Sequence, residues 1–161
     1  MKMRIETIEL VEILAGGCPA TRVGFISQQV RDAMDATVKH YTNAGFTRPW
    51  ISYLATAGPL IPGICAFTSV PKKGRVEIAY NTFQPFENQG VATLMVSKLI
   101  AIARAAKPGI EIVAQTLAET NASNAILRKL RFEFAGEVAH PEEGQIWEWR
   151  LRAPNAQLEL F

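Results

Sequence analysis

Several things are scarce in this chain, and each scarcity removes a class of protein. Cysteine occurs twice in 161 residues, at Cys18 and Cys65, far apart and with no Cys-x-x-Cys spacing; histidine also occurs only twice. A disulfide framework and a zinc site are therefore not expected. Cys65 sits in an apolar stretch, where a buried, inert thiol is expected. Excess charge of one sign is absent: 17 Lys and Arg face 15 Asp and Glu, for a net +2. That balance does not suit a dedicated nucleic-acid binder. No apolar run approaches the ~20 residues that span a bilayer, and no N-terminal signal sequence is visible. The expected setting is the cytoplasm, with neither membrane nor nucleic acid as partner. There is no internal repeat, no low-complexity segment, and no Gly-x-Gly-x-x-Gly after an early strand, so a dehydrogenase-type nucleotide fold is not expected.

What is present is a core: 48% of residues are hydrophobic. The length suits one compact domain, expected over residues 1–152, with 153–161 as a peripheral tail. A first strand is expected over about 4–11. Val30, Met34, Val38 and Tyr41 recur every three or four residues, which predicts an amphipathic helix over 26–44 closed by Gly45. Strands are expected at 50–56, 64–70 and 75–83, and the short turns between them imply antiparallel pairing. A largely buried helix at 89–106 leads to a strand at 110–117, a right-handed crossover with parallel strands. A second helix at 122–130 precedes a hairpin of 132–138 and 146–151. The fold class is α/β with a mixed sheet: an antiparallel meander, one parallel βαβ crossover and a C-terminal hairpin.

The stretch 76–93, VEIAYNTFQPFENQGVAT, carries the most chemistry. Val76, Ile78, Tyr80 and Thr82 alternate with Glu77, Ala79, Asn81 and Phe83 as in a strand. Pro85 ends it. Asn88 is a good N-cap type, and Gly90 permits close approach to the backbone where the helix begins. Such an opening offers unpaired N–H groups at the positive end of a helix dipole, a site for a phosphate or pyrophosphate. Many strand-to-helix turns with a glycine bind nothing, so this turn alone decides little.

Two local patterns together resemble the GNAT superfamily of N-acetyltransferases. The family loop reads Arg or Gln, two residues, Gly, one residue, then Gly or Ala; here the frame is Glu87, Asn88, Gln89, Gly90, Val91, Ala92. The stretch TNASNAILRKLRF resembles the second signature, matching at Ser123, Ile126, Leu127, Lys129, Leu130 and Phe132. PWISYLA, VEIAY and GEVAHPEEGQIWEW are similar to the branch of ribosomal-protein alanine N-acetyltransferases. The resemblance runs from Pro49 onward. It implies a GNAT fold that moves acetyl from acetyl-CoA, with no metal, to a primary amine: a protein N-terminus or a small molecule. A homodimer would fit if the terminal hairpin leaves an exposed edge strand.

The resemblance also implies a donor site between the strands 76–83 and 110–117. Backbone N–H groups near Asn81 and Thr82 would polarise the acetyl carbonyl. Those of Gln89, Gly90, Val91, Ala92 and Thr93 would hold the pyrophosphate. Glu77 is the candidate base, with a structural ion pair to Arg75 or Arg150 as the competing reading. Ser123 would meet the departing sulfur; in the competing reading Ser123 or Thr120 simply caps the following helix. Asn121 and Asn124 would contact the CoA arm, or be solvated turn residues. Arg128, Lys129 and Arg131 would meet the 3′-phosphate or form a solvated face. His140 reads as turn decoration first and as a base second. Trp50 would mark the edge of the acceptor groove, while Trp147 and Trp149 fill core and rim.

The chain departs from the family at five places, one of them Thr120 at the frame position of the usual Asn, with Asn121 and Asn124 next to it. Glu87 stands where Arg or Gln is usual and is expected to face solvent. Asn88 stands where the loop often has Gly, and Arg131 replaces the common Gly before Phe132. The tyrosine that many members use as general acid falls at Leu127. Glu87, Asn88 and the missing tyrosine support the alternative, a non-catalytic acyl-CoA-binding or regulatory module.

Overall fold

Strand β4 (Arg75–Thr82) organises the molecule. Val76 and Ile78 are buried, Glu77 is half-buried, and Ala79 and Asn81 are exposed. Side chains alternate across a strand, so β4 offers one face to a core and another to a site. The structure is a computed structural model that describes residues 5–118 and 121–153. Arg4, Thr120 and the tail from 154 lie outside the described residues.

Among the described residues the strands are β1 (Glu9–Glu12), β2 (Ser52–Ala57), β3 (Leu60–Phe67), β4, β5 (Glu111–Leu117), β6 (Glu133–His140) and β7 (Gly144–Leu151). The helices are α1 (Gln28–Ala44), α2 (Val91–Ala106) and α3 (Ala122–Lys129). They build a seven-stranded sheet in the order β1-β2-β3-β4-β5-β7-β6. All neighbours are antiparallel except β4 and β5. The expected meander, parallel crossover and terminal hairpin are all present, and β6 is an edge.

Ser27 opens α1: its Oγ accepts from the Val30 N–H at 3.2 Å. Gly45 ends it, at φ 83°. The Tyr41 hydroxyl donates to the Ile13 carbonyl at 2.8 Å and accepts from the Ser52 N–H at 3.0 Å, which pins α1 to the sheet. The helix meets the face that carries Ile64, Ala66, Ala79 and Asn81. On the opposite face, α2 lies so close to β3 that a Cβ at Gly63 would come within 2.9 Å of Met95 Sδ. The core fills this second interface with Phe67, Ile78, Met95, Leu99, Ile112 and Trp149. Trp149 is fully packed, and its indole N–H donates to Thr116 Oγ1 at 3.0 Å.

Two strand boundaries differ clearly from the sequence reading: the first strand, expected over about 4–11, is β1 at Glu9–Glu12, and β3 starts early. The segment AGPLIPG was expected to be a turn before a strand at 64, but β3 already begins at Leu60. Proline has no N–H for a ladder, which argues against Pro62 in a central strand. The register with β2 shifts between Ala55 and Ala57, so Pro62 sits at a bulge where no ladder N–H is demanded. Its carbonyl still accepts from the Phe83 N–H at 2.9 Å.

Candidate active site

The two parallel strands do not stay together. β4 and β5 pair only from Arg75 with Glu111 to Ile78 with Ala114. Beyond that point both chains continue, but apart. In an antiparallel ladder, alternate residues turn their N–H and C=O groups to the same neighbour. Glu77 O accepts from Thr68 N and Phe83 N donates to Pro62 O, so the odd residues of β4 face β3. Ile78, Tyr80 and Thr82 therefore face β5, and past Ile78 they face open space. This corrects one expectation: the backbone of Asn81 is turned into the β3 ladder, and the backbones of Tyr80 and Thr82 edge the opening.

The opening is a cleft of about 690 Å³ between β4, the loop before α2, and α3. Asn81, Thr82, Gln89, Gly90, Val91, Ala92 and Thr93, all singled out from sequence, line it. Gly90, and not Asn88, is the N-cap of α2, and no side-chain hydrogen bond caps the helix. Gly90 has φ 85° and Asn88 φ 64°, both left-handed. The residues of this opening, Gln89 to Thr93, line one end of the cleft. Glu87 is exposed, as expected, and stands on the rim. Lys129 also lines the cleft, whereas Arg128 stacks over Trp149 at 5.2 Å.

Asn121 and Asn124 are not among the cleft-lining residues. Asn121 is the N-cap of α3, its Oδ1 accepting from the Asn124 N–H at 3.0 Å, and Asn124 is buried beneath the helix. The cap role weighed for Ser123 thus falls to Asn121. Ser123 is left for other work: its Oγ is 2.7 Å from the Tyr80 hydroxyl. Leu127, the frame position of the family tyrosine, is fully buried in the core. The phenol at the cleft comes instead from β4. Sequence reading took Tyr80 only as part of a strand pattern; its pairing with Ser123, 43 positions away, had no local signal. Burial raises the Tyr80 phenol above its usual value, and the Ser123 bond partly offsets this.

Glu77 and Ser123 come together. A second cavity of about 290 Å³ is lined by Glu77, Ala79, Tyr80, Ser123, His140 and Glu143, among others. Burial raises the Glu77 carboxyl above the usual range; Glu148 adds to this and His140 opposes it. The competing ion-pair reading for Glu77 does not hold among the described residues. Arg75 pairs with Glu111 at 2.9 Å and Glu148 at 3.2 Å, and Arg150 approaches Glu111 at 4.0 Å. His140 accepts at Nδ1 from the Glu142 and Glu143 N–H groups, at 3.1 and 3.0 Å, so it shapes the β6–β7 turn. Trp50, half-buried, packs edge-on to Phe67 at 5.0 Å against the core and lines none of these cavities. Cys65 is buried, and burial pushes its thiol up, as an inert thiol requires. No group of metal-ligating side chains occurs among the described residues, and no helix there is long and apolar enough to cross a membrane.

Known proteins share this architecture. RimL, a ribosomal-protein α-N-acetyltransferase solved with coenzyme A, aligns at TM-score 0.62 and 16% identity, covering 78% of this chain and 72% of its own. An acetyl transferase from Salmonella typhimurium, which modifies the N-terminal serine of a 50S ribosomal subunit protein, aligns at TM-score 0.66 and 14% identity, covering 92% and 96%. The microcin self-immunity acetyltransferase MccE, solved with acetyl-CoA and AMP, aligns at 0.62 and 15%, covering 77% and 70%. At such identities the likeness speaks for the fold. No curated protein matches the chain. The family model of the acetyltransferase (GNAT) domain matches residues 20–133, so it takes in α1 as well as both loop signatures. That span is well over half of the sequence, and the chain belongs to the GNAT acetyltransferases, which draw their acetyl group from acetyl-CoA.

Proposed function

We propose that this chain is an N-acetyltransferase whose acceptor is a primary amine at a peptide or protein N-terminus. The observation that carries this reading is the parting of β4 and β5 beyond Ile78 and Ala114. It leaves a passage with the uncapped start of α2 at one end and the Tyr80–Ser123 pair, next to Glu77, at the other.

The cleft suits acetyl-CoA chemically. The first N–H groups of α2, from Val91 to Thr93, with those of Gln89 and Gly90, face a pyrophosphate as a helix N-terminus does. The unpaired edge of β4 offers N–H and C=O groups to the amides of a pantetheine arm, as a missing strand would. The volume is that of an ordinary small-molecule site. Lys129 adds a positive charge to the wall. Acetyl-CoA, when bound, supplies an activated thioester carbonyl.

The side chains divide the remaining work. Glu77, with its raised proton affinity, accepts the proton of the acceptor ammonium. The Tyr80 and Thr82 N–H groups are placed to polarise a carbonyl in the passage. Ser123 Oγ, backed by the Tyr80 hydroxyl, holds the proton that a leaving sulfur needs. The Tyr80–Ser123 pair thereby supplies the general acid that Leu127 cannot.

The test is a calorimetric titration with acetyl-CoA, using adenosine diphosphate as control, followed by initial rates on N-terminal peptides. Saturable binding that needs the pantetheine arm, with transfer to a peptide α-amine, is expected. No binding at millimolar acetyl-CoA would overturn the reading.

A further inference from the structure

The middle strands of a layered sheet are normally covered on both faces. Here the α1 face is partly bare. Ala79, on central strand β4, is exposed; its cross-strand partner Ala66 and nearby Ile64 are only half-buried. α1 passes over them with small residues, Ala33 and Ala36, and leaves a cavity of about 360 Å³. No Asp, Glu, Lys or Arg lines it. Its one histidine, His40, is tied through Nε2 to the Thr68 carbonyl at 2.7 Å.

This cavity shares Ala79 and Tyr80 with the one that holds Glu77 and Glu143. It shares Tyr80 and Asn81 with the donor cleft. A single trough therefore runs across β4, apolar under α1 and acidic at the β6–β7 turn, with the passage opening between its two ends. We propose that this trough binds the acceptor, and that its α1 end takes an uncharged, apolar side chain beside the reacting amine. The inference rests on the acetyltransferase reading and narrows its substrate class. Peptides that begin with residues such as Leu, Val or Met are the favoured class; polyamines and peptides with a charged first residue are disfavoured.

The physical reason is charge complementarity at one end and its absence at the other. The acceptor ammonium meets Glu77 and Glu143. A second charge under α1 would leave water for a wall with no counter-ion, which is strongly unfavourable. An aliphatic group there covers Ile64, Ala66 and Ala79 and gains by removing them from water.

The experiment compares kcat/KM on peptides that differ only in their first residue: Leu, Ala, Lys and Asp. The same series is run on Ala36→Phe and, as a second filling variant, Ala79→Leu, with a thermal melt of each protein and an acetyl-CoA titration in parallel. Both substitutions replace exposed small residues. Leu is expected to exceed Lys and Asp by roughly 10–100-fold. In the filled variants the advantage of Leu over Ala should vanish through KM, with acetyl-CoA affinity retained. Equal or reversed preference, or a Leu preference that survives both filled variants, overturns the pocket assignment and leaves the acetyltransferase reading standing. Failure of the unsubstituted protein to bind acetyl-CoA would overturn that reading, and this inference with it.

Discussion

The Tyr80 hydroxyl lies 2.7 Å from Ser123 Oγ, and this bond joins strand β4 to the first turn of α3 at the place where three cavities meet. If the two hydroxyls act as one proton donor, their removal is not additive. Tyr80→Phe and Ser123→Ala should each lower kcat by about 10–100-fold, and the double variant should lose little more than the worse single one. Additive losses in that cycle would mean that the two groups act separately.

Glu77 is expected to show itself in two measurements. Glu77→Gln should lower kcat/KM by about 10²–10⁴-fold while acetyl-CoA titrates normally. A rate equal to that of the unsubstituted protein at every pH would remove Glu77 as the base.

The same residue couples stability to pH. Its folded-state carboxyl is raised above the ordinary 4.5, chiefly by burial and then by Glu148. From that value up to the raised one, the folded chain binds a proton that the unfolded chain has released. Stability therefore falls as pH rises through this window. Glu77→Gln should remove the fall, so its stability relative to the unsubstituted protein should climb across the window in urea melts and then stay level.

Arg131 sits at φ 73°, in the left-handed region, at the end of α3. The Phe132 N–H bonds the Leu127 carbonyl at 2.9 Å and the Arg131 N–H bonds the Arg128 carbonyl at 3.0 Å, a Schellman closure that favours glycine at this position. Arg131→Gly should stabilise the fold by about 0.5–1 kcal/mol, the strain relieved less the entropy glycine loses. For a chain of this size that is a rise in Tm of roughly 1–4 °C.

Gly63 has the opposite expectation. A Cβ there would stand 2.8 Å from the Asn81 carbonyl oxygen and 2.9 Å from Met95 Sδ. Gly63→Ala should cost about 1–3 kcal/mol in denaturant melts, because β3, β4 and α2 must separate to admit it.

Much of this molecule was legible from local pattern. The alternation of 75–83, the periodicity of α1 and the Pro and Gly stops placed most elements to within a few residues. The family's two signatures pointed to the loop and helix that line the cleft beside β4. Asn88 and Arg131 looked like departures because the family prefers glycine there, and both turn out to be left-handed positions. The turn expected over AGPLIPG is partly strand because Pro62 sits at a bulge, where no ladder N–H is demanded, and bulges are set by the partner strand.

The sequence by itself determined which segments are strands and helices, the order in which they join, and the glycine that opens α2, because these depend on residues within one or two turns of each other. Tertiary structure alone decided where β4 leaves β5 and which edge of β4 faces the opening. It also decided that Tyr80 takes up Ser123, that Asn121 caps α3, and that Asn124 is buried away from the cleft lining. Those outcomes depend on register and on contacts between residues tens of positions apart, which no local pattern encodes.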